Sequence, residues 1–199
     1  MIRTALFALA FAAASITASA VTVSFDTTAT WNCNGLSGCS INGNMLTINS
    51  LIMTYTPNSA TVDTPSGANF GLLKASCSDP GDCSGLTSIA NAQITLNIQQ
   101  TGPFAGTTSF LGVLGGSISN DQSSGPATVS FSPLSGSITN GTDTTITYVL
   151  QQPPGGYILN SISDVATSLQ GTVSADSPTP EPSTIALLGA RRSEEHTSE

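Results

Sequence analysis

Basic residues are almost missing from this chain. Between Val21 and Ala190 the only cation is Lys74, with no Arg and no His, against eight Asp and one Glu, a net charge of −8. A nucleic-acid partner is excluded on that count, because neutralising phosphates takes a basic face. Histidine catalysis and histidine metal ligation are excluded with it. Charged residues make up 8% and aromatics 6% of the 199 residues, yet 39% are hydrophobic. Such a chain is too apolar for a disordered tail and too charge-poor for a typical cytosolic enzyme. Glu, the commonest exposed helix former, is absent from Val21 to Ala175, and no long stretch there repeats apolar residues at helical spacing. Helix is therefore scarce, and the length predicts one domain.

Period-two alternation takes its place. Val21, Val23 and Phe25, then Leu46 and Ile48, then Leu51, Met53 and Tyr55 alternate with polar residues, as do Ile94, Leu96 and Ile98, Val129 and Phe131, and Ile146, Tyr148 and Leu150. The intervening Thr, Ser, Asn and Gln suit strands with one buried and one wet face. Turn formers punctuate the runs at Asn42-Gly43, Pro65-Ser66-Gly67, Gly102-Pro103, Asn140-Gly141 and Pro153-Pro154-Gly155-Gly156. This pattern predicts an all-β domain over 21–175, an antiparallel two-sheet sandwich of about eight to ten strands, jelly-roll-like or Ig-like.

The two ends read differently. Residues 1–20 carry a basic start at Arg3, an apolar run from Ala5 to Ala14 and the small residues Ala18-Ser19-Ala20. That is the layout of a secretory signal peptide, with cleavage expected after Ala20. Residues 176–190 form a Ser/Pro/Thr stalk that leads through Pro180, Glu181 and Pro182 into Ser183-Thr184 and the apolar Ile185-Ala186-Leu187-Leu188-Gly189-Ala190. This tail resembles the PEP-CTERM sorting signal, in which Pro-Glu-Pro precedes a membrane helix and a short basic cluster. The resemblance covers about a dozen residues. It implies a Gram-negative source, with signal peptidase and an exosortase as processing partners. It also implies a transient inner-membrane anchor, a final location in the cell envelope or outside the cell, and an association with exopolysaccharide and biofilm.

The tail departs from that pattern in length. Six apolar residues rise about 9 Å as a helix, whereas a bilayer core is about 30 Å thick, so the anchor is expected only in an untruncated protein. Residues 191–199 follow, and Arg192-Ser193-Glu194-Glu195-His196-Thr197-Ser198-Glu199 is the translation of a common short-read sequencing adapter, AGATCGGAAGAGCACACGTCTGAA. We read it as an assembly artefact. The single His and three of the four Glu then belong to the artefact.

Cys33 and Cys39 are separated by the same interval as Cys77 and Cys83, and each loop holds turn formers. In an oxidising compartment this favours local pairing, Cys33 with Cys39 and Cys77 with Cys83. Cross-linking of Cys33 to Cys77 and Cys39 to Cys83 is the alternative if both loops share one end of the sandwich. A zinc site wants closer cysteine spacing and a reducing compartment. Asp79 and Asp82, with Asp63 or backbone carbonyls, are candidate Ca²⁺ ligands, though the spacing matches no EF-hand, and solvated turn carboxylates are the plainer reading.

No Ser has a His base or a Ser-x-x-Lys arrangement, since Gly71-Leu72-Leu73 precedes Lys74. Lys74 is expected on a strand, facing water. Trp31, Tyr55, Tyr148 and Tyr157 could stack on sugars, but core packing is the favoured role for large aromatics. The expectation is an exported, non-enzymatic envelope or matrix protein without a cofactor. A carbohydrate-binding or Ca²⁺-assisted adhesive module is the first alternative. A secreted hydrolase using paired Asp carboxylates is the second.

Overall fold

The computed structural model describes residues 20–77, 87–118, 127–141, 144–159 and 165–176. In β1 (Thr22–Asn32), Val23, Phe25, Thr27, Ala29 and Trp31 are buried while the residues between them face outward, so polar/apolar alternation sets the strand's two faces directly. The chain then forms β2 (Cys39–Asn42), β3 (Met45–Ile48), β4 (Leu51–Thr56), β5 (Ser59–Asp63) and β6 (Ser66–Cys77), with the same alternation plain in β3 and β4. It continues through β7 (Thr87–Ser88), β8 (Gln93–Gly102), β9 (Gly106–Gly115), β10 (Ser117–Ile118) and β11 (Ala127–Ser132). The last four strands are β12 (Ser135–Asn140), β13 (Thr144–Leu150), β14 (Tyr157–Leu159) and β15 (Thr167–Asp176).

Two curled antiparallel sheets pack face to face. One has six strands in the order β14-β11-β9-β8-β1-β5, the other seven in the order β12-β13-β15-β6-β4-β3-β2, and β7 and β10 form a small separate ribbon. The two large sheets thus hold thirteen strands, more than the eight to ten expected. The excess has a local cause. Residues 39–63 fold into four short strands, with left-handed Gly43 and Asn49 turning the chain between the first three. Cis peptide bonds lie at Thr64-Pro65, Gly102-Pro103 and Ser132-Pro133, each at a corner between strands.

Strand β6 departs from simple alternation. Ala68 and Phe70 are buried, then Gly71, then Leu73 and Ala75, so the buried set changes parity at Gly71. Across the ladder the register with β15 shifts between Ser168 and Gln170 at the same point, which makes this a β-bulge. Gly71 has φ +118, and a Cβ there would lie 2.5 Å from the Tyr55 hydroxyl. Only glycine suits both the backbone conformation and the space.

The core is pinned by three aromatic rings. Phe25 comes from the six-stranded sheet, Phe70 and Tyr148 from the seven-stranded one, with centroid separations of 5.6, 5.7 and 6.1 Å. Two pairs are edge-on and one is tilted, geometries worth about 0.5–1.5 kcal/mol per pair beyond the area buried. Leu46, Ile48, Leu51 and Met53 extend this core on one side, and Ile94, Leu96, Ile98 and Phe110 on the other. Cys33 and Cys39 are joined to each other across the loop from β1 to β2, which overturns the cross-linked alternative. A ring that small stabilises by about 2 kcal/mol in the chain-entropy account. Cys77 is also disulfide-bonded; Cys83 lies outside the described residues.

Candidate functional site

All four rings that could have formed a stacking platform point inward. Trp31 is 7% exposed and donates its indole N–H to the Asn44 carbonyl at 3.0 Å. Tyr157 meets Phe131 edge-on at 6.1 Å and donates to the Gln170 carbonyl at 3.1 Å. Tyr148 is fully buried and donates to Gln100 Oε1 at 2.9 Å, while Gln100 Nε2 donates to the Phe104 carbonyl at 2.7 Å. The buried Gln100 therefore ties the two sheets together by polar contacts. Tyr55 Oη lies 2.7 Å from both Thr27 Oγ1 and the Phe70 carbonyl at the bulge, and the Asn58 N–H donates to Thr27 Oγ1 at 2.8 Å. No buried side-chain nitrogen or oxygen among the described residues lacks a partner, as a stable interior requires.

Burial has a titration consequence. Desolvation of the phenolate pushes Tyr55 up to about 12, even though the Thr27 hydrogen bond opposes it. The same cause raises Tyr157 to about 12 and Tyr148 further still. In the unfolded chain these groups release their protons near pH 10. Their stabilising contribution is thus complete below about pH 10 and is lost as pH rises through about 12. The urea midpoint is expected to hold up to about pH 10 and to fall steeply between about pH 10 and pH 12, with tyrosinate absorbance appearing together with unfolding. Ionisation of all three tyrosines in a still-folded protein would contradict their burial.

The carboxylates that are described stand apart from one another. Asp26 on β1 accepts a hydrogen bond from the Ser59 hydroxyl, and Asp63 on β5 accepts one from Thr22 at 2.6 Å. Asp176 ends β15. No group of three or more His, Cys, Asp or Glu gathers among the described residues. Asp63 thus engages Thr22, while Asp79 and Asp82 lie outside the described residues. Lys74 sits on β6 opposite Thr54 of β4. At the N-terminal end Ala20 is exposed, and the Val21 N–H donates to Thr64 Oγ1 at 3.3 Å while Thr64 N–H donates back to the Val21 carbonyl at 3.0 Å. Pro180, Glu181 and Pro182 fall outside the described residues.

What sequence reading missed is a surface. On the outer face of the six-stranded sheet, the register places Thr22 beside Asp63, Ser24 beside Thr61 and Asp26 beside Ser59. On the other side of β1, Asp26 faces Gln99, Thr28 faces Asn97, Thr30 faces Thr95 and Asn32 faces Gln93. Ser24 and Thr61 hydroxyls are 2.9 Å apart, and Ser109 donates to Asn97 at 2.7 Å one strand further on. Near the β5 edge this face sinks into a shallow depression of about 290 Å³, lined by Ser24, Asp26, Ser59, Thr61 and Thr101 together with Phe25 and Ala60. The β1–β8 register shifts between Ser24 and Phe25 beside it, and the Thr101 hydroxyl donates to the Ser24 carbonyl at 3.2 Å. The depression can donate and accept hydrogen bonds and holds one carboxylate. Alternation foretold that these residues face water; their grouping depends on pairing between strands far apart in sequence. No protein-family model, curated protein or solved structure matches the chain.

Proposed function

We propose that this chain is an exported, non-enzymatic component of the cell envelope or extracellular matrix, carried out by its signal peptide and sorted by a PEP-CTERM tail. The observation that carries the reading is the Cys33–Cys39 disulfide, with Cys77 also disulfide-bonded. Such bonds persist in oxidising compartments and are rare in the cytosol. Two further features support it. The described buried polar atoms are all partnered, as in an interior that serves as a scaffold. Residues 21–190 offer no His or Arg and one Lys, which leaves few groups for acid–base chemistry. We take the curled two-sheet arrangement as jelly-roll-like or Ig-like. The second reading, a carbohydrate-binding module, is favoured by the hydroxyl-lined depression at Ser24, Asp26, Ser59, Thr61 and Thr101.

Cell fractionation tests the proposal. The gene, completed past Ala190, is expressed in a host with its exosortase and in the same host without it. The processed protein is expected in the envelope or medium in the first case, and an unprocessed form in the inner membrane in the second. The same cytoplasmic distribution in both hosts would refute export and sorting together.

A further inference from the structure

We infer that the outer face of the six-stranded sheet, across β5, β1 and β8, binds a neutral polyhydroxylated polymer, a glycan chain, with the depression at Ser24, Asp26, Ser59, Thr61 and Thr101 as its deepest contact. The inference rests on the exterior location proposed above and deepens it by naming the partner. Three observations converge on the class of ligand. First, every outward side chain of β5, β1 and β8 is Ser, Thr, Asn, Gln or Asp, with no cation among them. An anionic polymer meets only carboxylates there, whereas the hydroxyls of a neutral sugar find both donors and acceptors. Second, the opposite face of the molecule differs. The outer side of the seven-stranded sheet sets half-buried Met45, Ile52, Leu72, Val149 and Lys74 among hydroxyl rows such as Ser137, Thr147 and Ser174, whereas the outward positions of β5, β1 and β8 hold no apolar side chain, and that polar stretch ends at Leu111 and Val113, exposed on β9. Third, the depression of about 290 Å³ lies at the small end of ligand pockets, about 300 Å³, which suits a single sugar residue of a longer chain.

The geometry also sets how the polymer is held. Trp31, Tyr55, Tyr148 and Tyr157 are all buried, so those rings add no stacking energy and each sugar is gripped by hydrogen bonds that compete with water. Strands lie about 4.8 Å apart, roughly the advance of one pyranose in an extended chain, so a glycan running across the strands can repeat its contacts from β5 to β1 to β8. Weak contacts in series give useful affinity only to a polymer, through effective concentration.

Affinity electrophoresis of the purified full chain in gels containing laminarin, dextran, alginate or no polymer tests this. Retardation by a neutral glucan and none by alginate is expected, with free glucose failing to compete. The Asp26→Ala/Thr61→Ala double variant should weaken retardation about tenfold, the loss of roughly one good hydrogen bond. Thr47→Ala/Thr172→Ala on the other sheet should leave it unchanged, with unfolding midpoints confirming that both variants fold. Absence of retardation by laminarin and dextran, equal weakening by the two variants, or retardation by alginate alone would overturn the assignment. Because binding is read on purified protein and export in fractionated cells, failure of one is distinguishable from failure of the other.

Discussion

Phe70→Ala is expected to remove about 4 kcal/mol of stability, within the range of about 3–5 for deleting a buried phenylalanine ring. Phe70 is fully buried and lies within 5.6 Å of Phe25 and 6.1 Å of Tyr148, centroid to centroid. It is therefore in contact with both sheets at once. Its ring also covers Gly171 of β15, where an added Cβ would come within 2.2 Å of Phe70 Cε2. Alanine at position 70 removes transfer energy, two aromatic contacts and the floor over Gly171, and the surrounding strands cannot collapse into the space without breaking their ladders. Since a domain of this size has about 5–15 kcal/mol in total, the variant should sit close to the unfolding threshold. Equilibrium urea denaturation reads it as a lower midpoint at unchanged slope. A loss under about 1 kcal/mol would mean that the ring does not occupy the centre of the core.

The opposite error in the same place should be nearly as damaging. Gly171→Ala is expected to cost about 3 kcal/mol, at the upper end of overpacking penalties. The added methyl would lie 2.3 Å from the Val149 carbonyl oxygen as well as 2.2 Å from the Phe70 ring. A ring edge can turn aside; a carbonyl within the β13–β15 ladder can move only with its strand. Gly171 lies outside the left-handed region, so the penalty is steric and not a matter of backbone preference. Combining Gly171→Ala with Phe70→Leu should cost less than the sum of the single changes, because the shorter side chain relieves one of the two clashes. Thermal unfolding of the four proteins checks both statements. Strict additivity would show that the two residues do not share this space.

The residues named by alternation in the sequence, from Val23 and Phe25 through Leu51, Met53 and Tyr55 to Ile146, Tyr148 and Leu150, are the ones that line the core. Their period matches the pleat, and polar neighbours made that period visible. Strand β6 was harder to see, because the bulge at Gly71 shifts its buried set from Ala68 and Phe70 to Leu73 and Ala75. In β15 the inward positions are Leu169, Gly171 and Val173, and a central glycine hides the alternation. The short strands between Cys39 and Asp63 follow from turns two residues long, which propensity resolves poorly. Inward packing of Tyr55 and Tyr148 was legible from their apolar alternation and that of Trp31 from Cys33 nearby, whereas Tyr157 followed only from the general burial of large aromatics. The depression was not, since Ser24, Ser59 and Thr101 are joined only by the β5-β1-β8 order of the sheet. Sheet order arises from long-range pairing, which no local pattern encodes.

The buried polar links also explain why this core tolerates hydroxyls and an amide. Thr27 and Gln100 are both essentially inaccessible, yet each is satisfied by a tyrosine of another strand and a backbone group of a connecting loop. An unpartnered group in either position would cost about 1–3 kcal/mol. Together with the aromatic triad these links hold the two sheets in one alignment and keep the hydroxyl face of the six-stranded sheet regular.

Intact-mass measurement of the protein recovered from the medium, alkylated without reduction, tests the exported-scaffold account most directly. The account predicts a chain that begins at Val21, takes up no alkyl group, and gains four on reduction, one for each cysteine. A chain that keeps its first twenty residues, or one whose cysteines are alkylated before reduction, would contradict it.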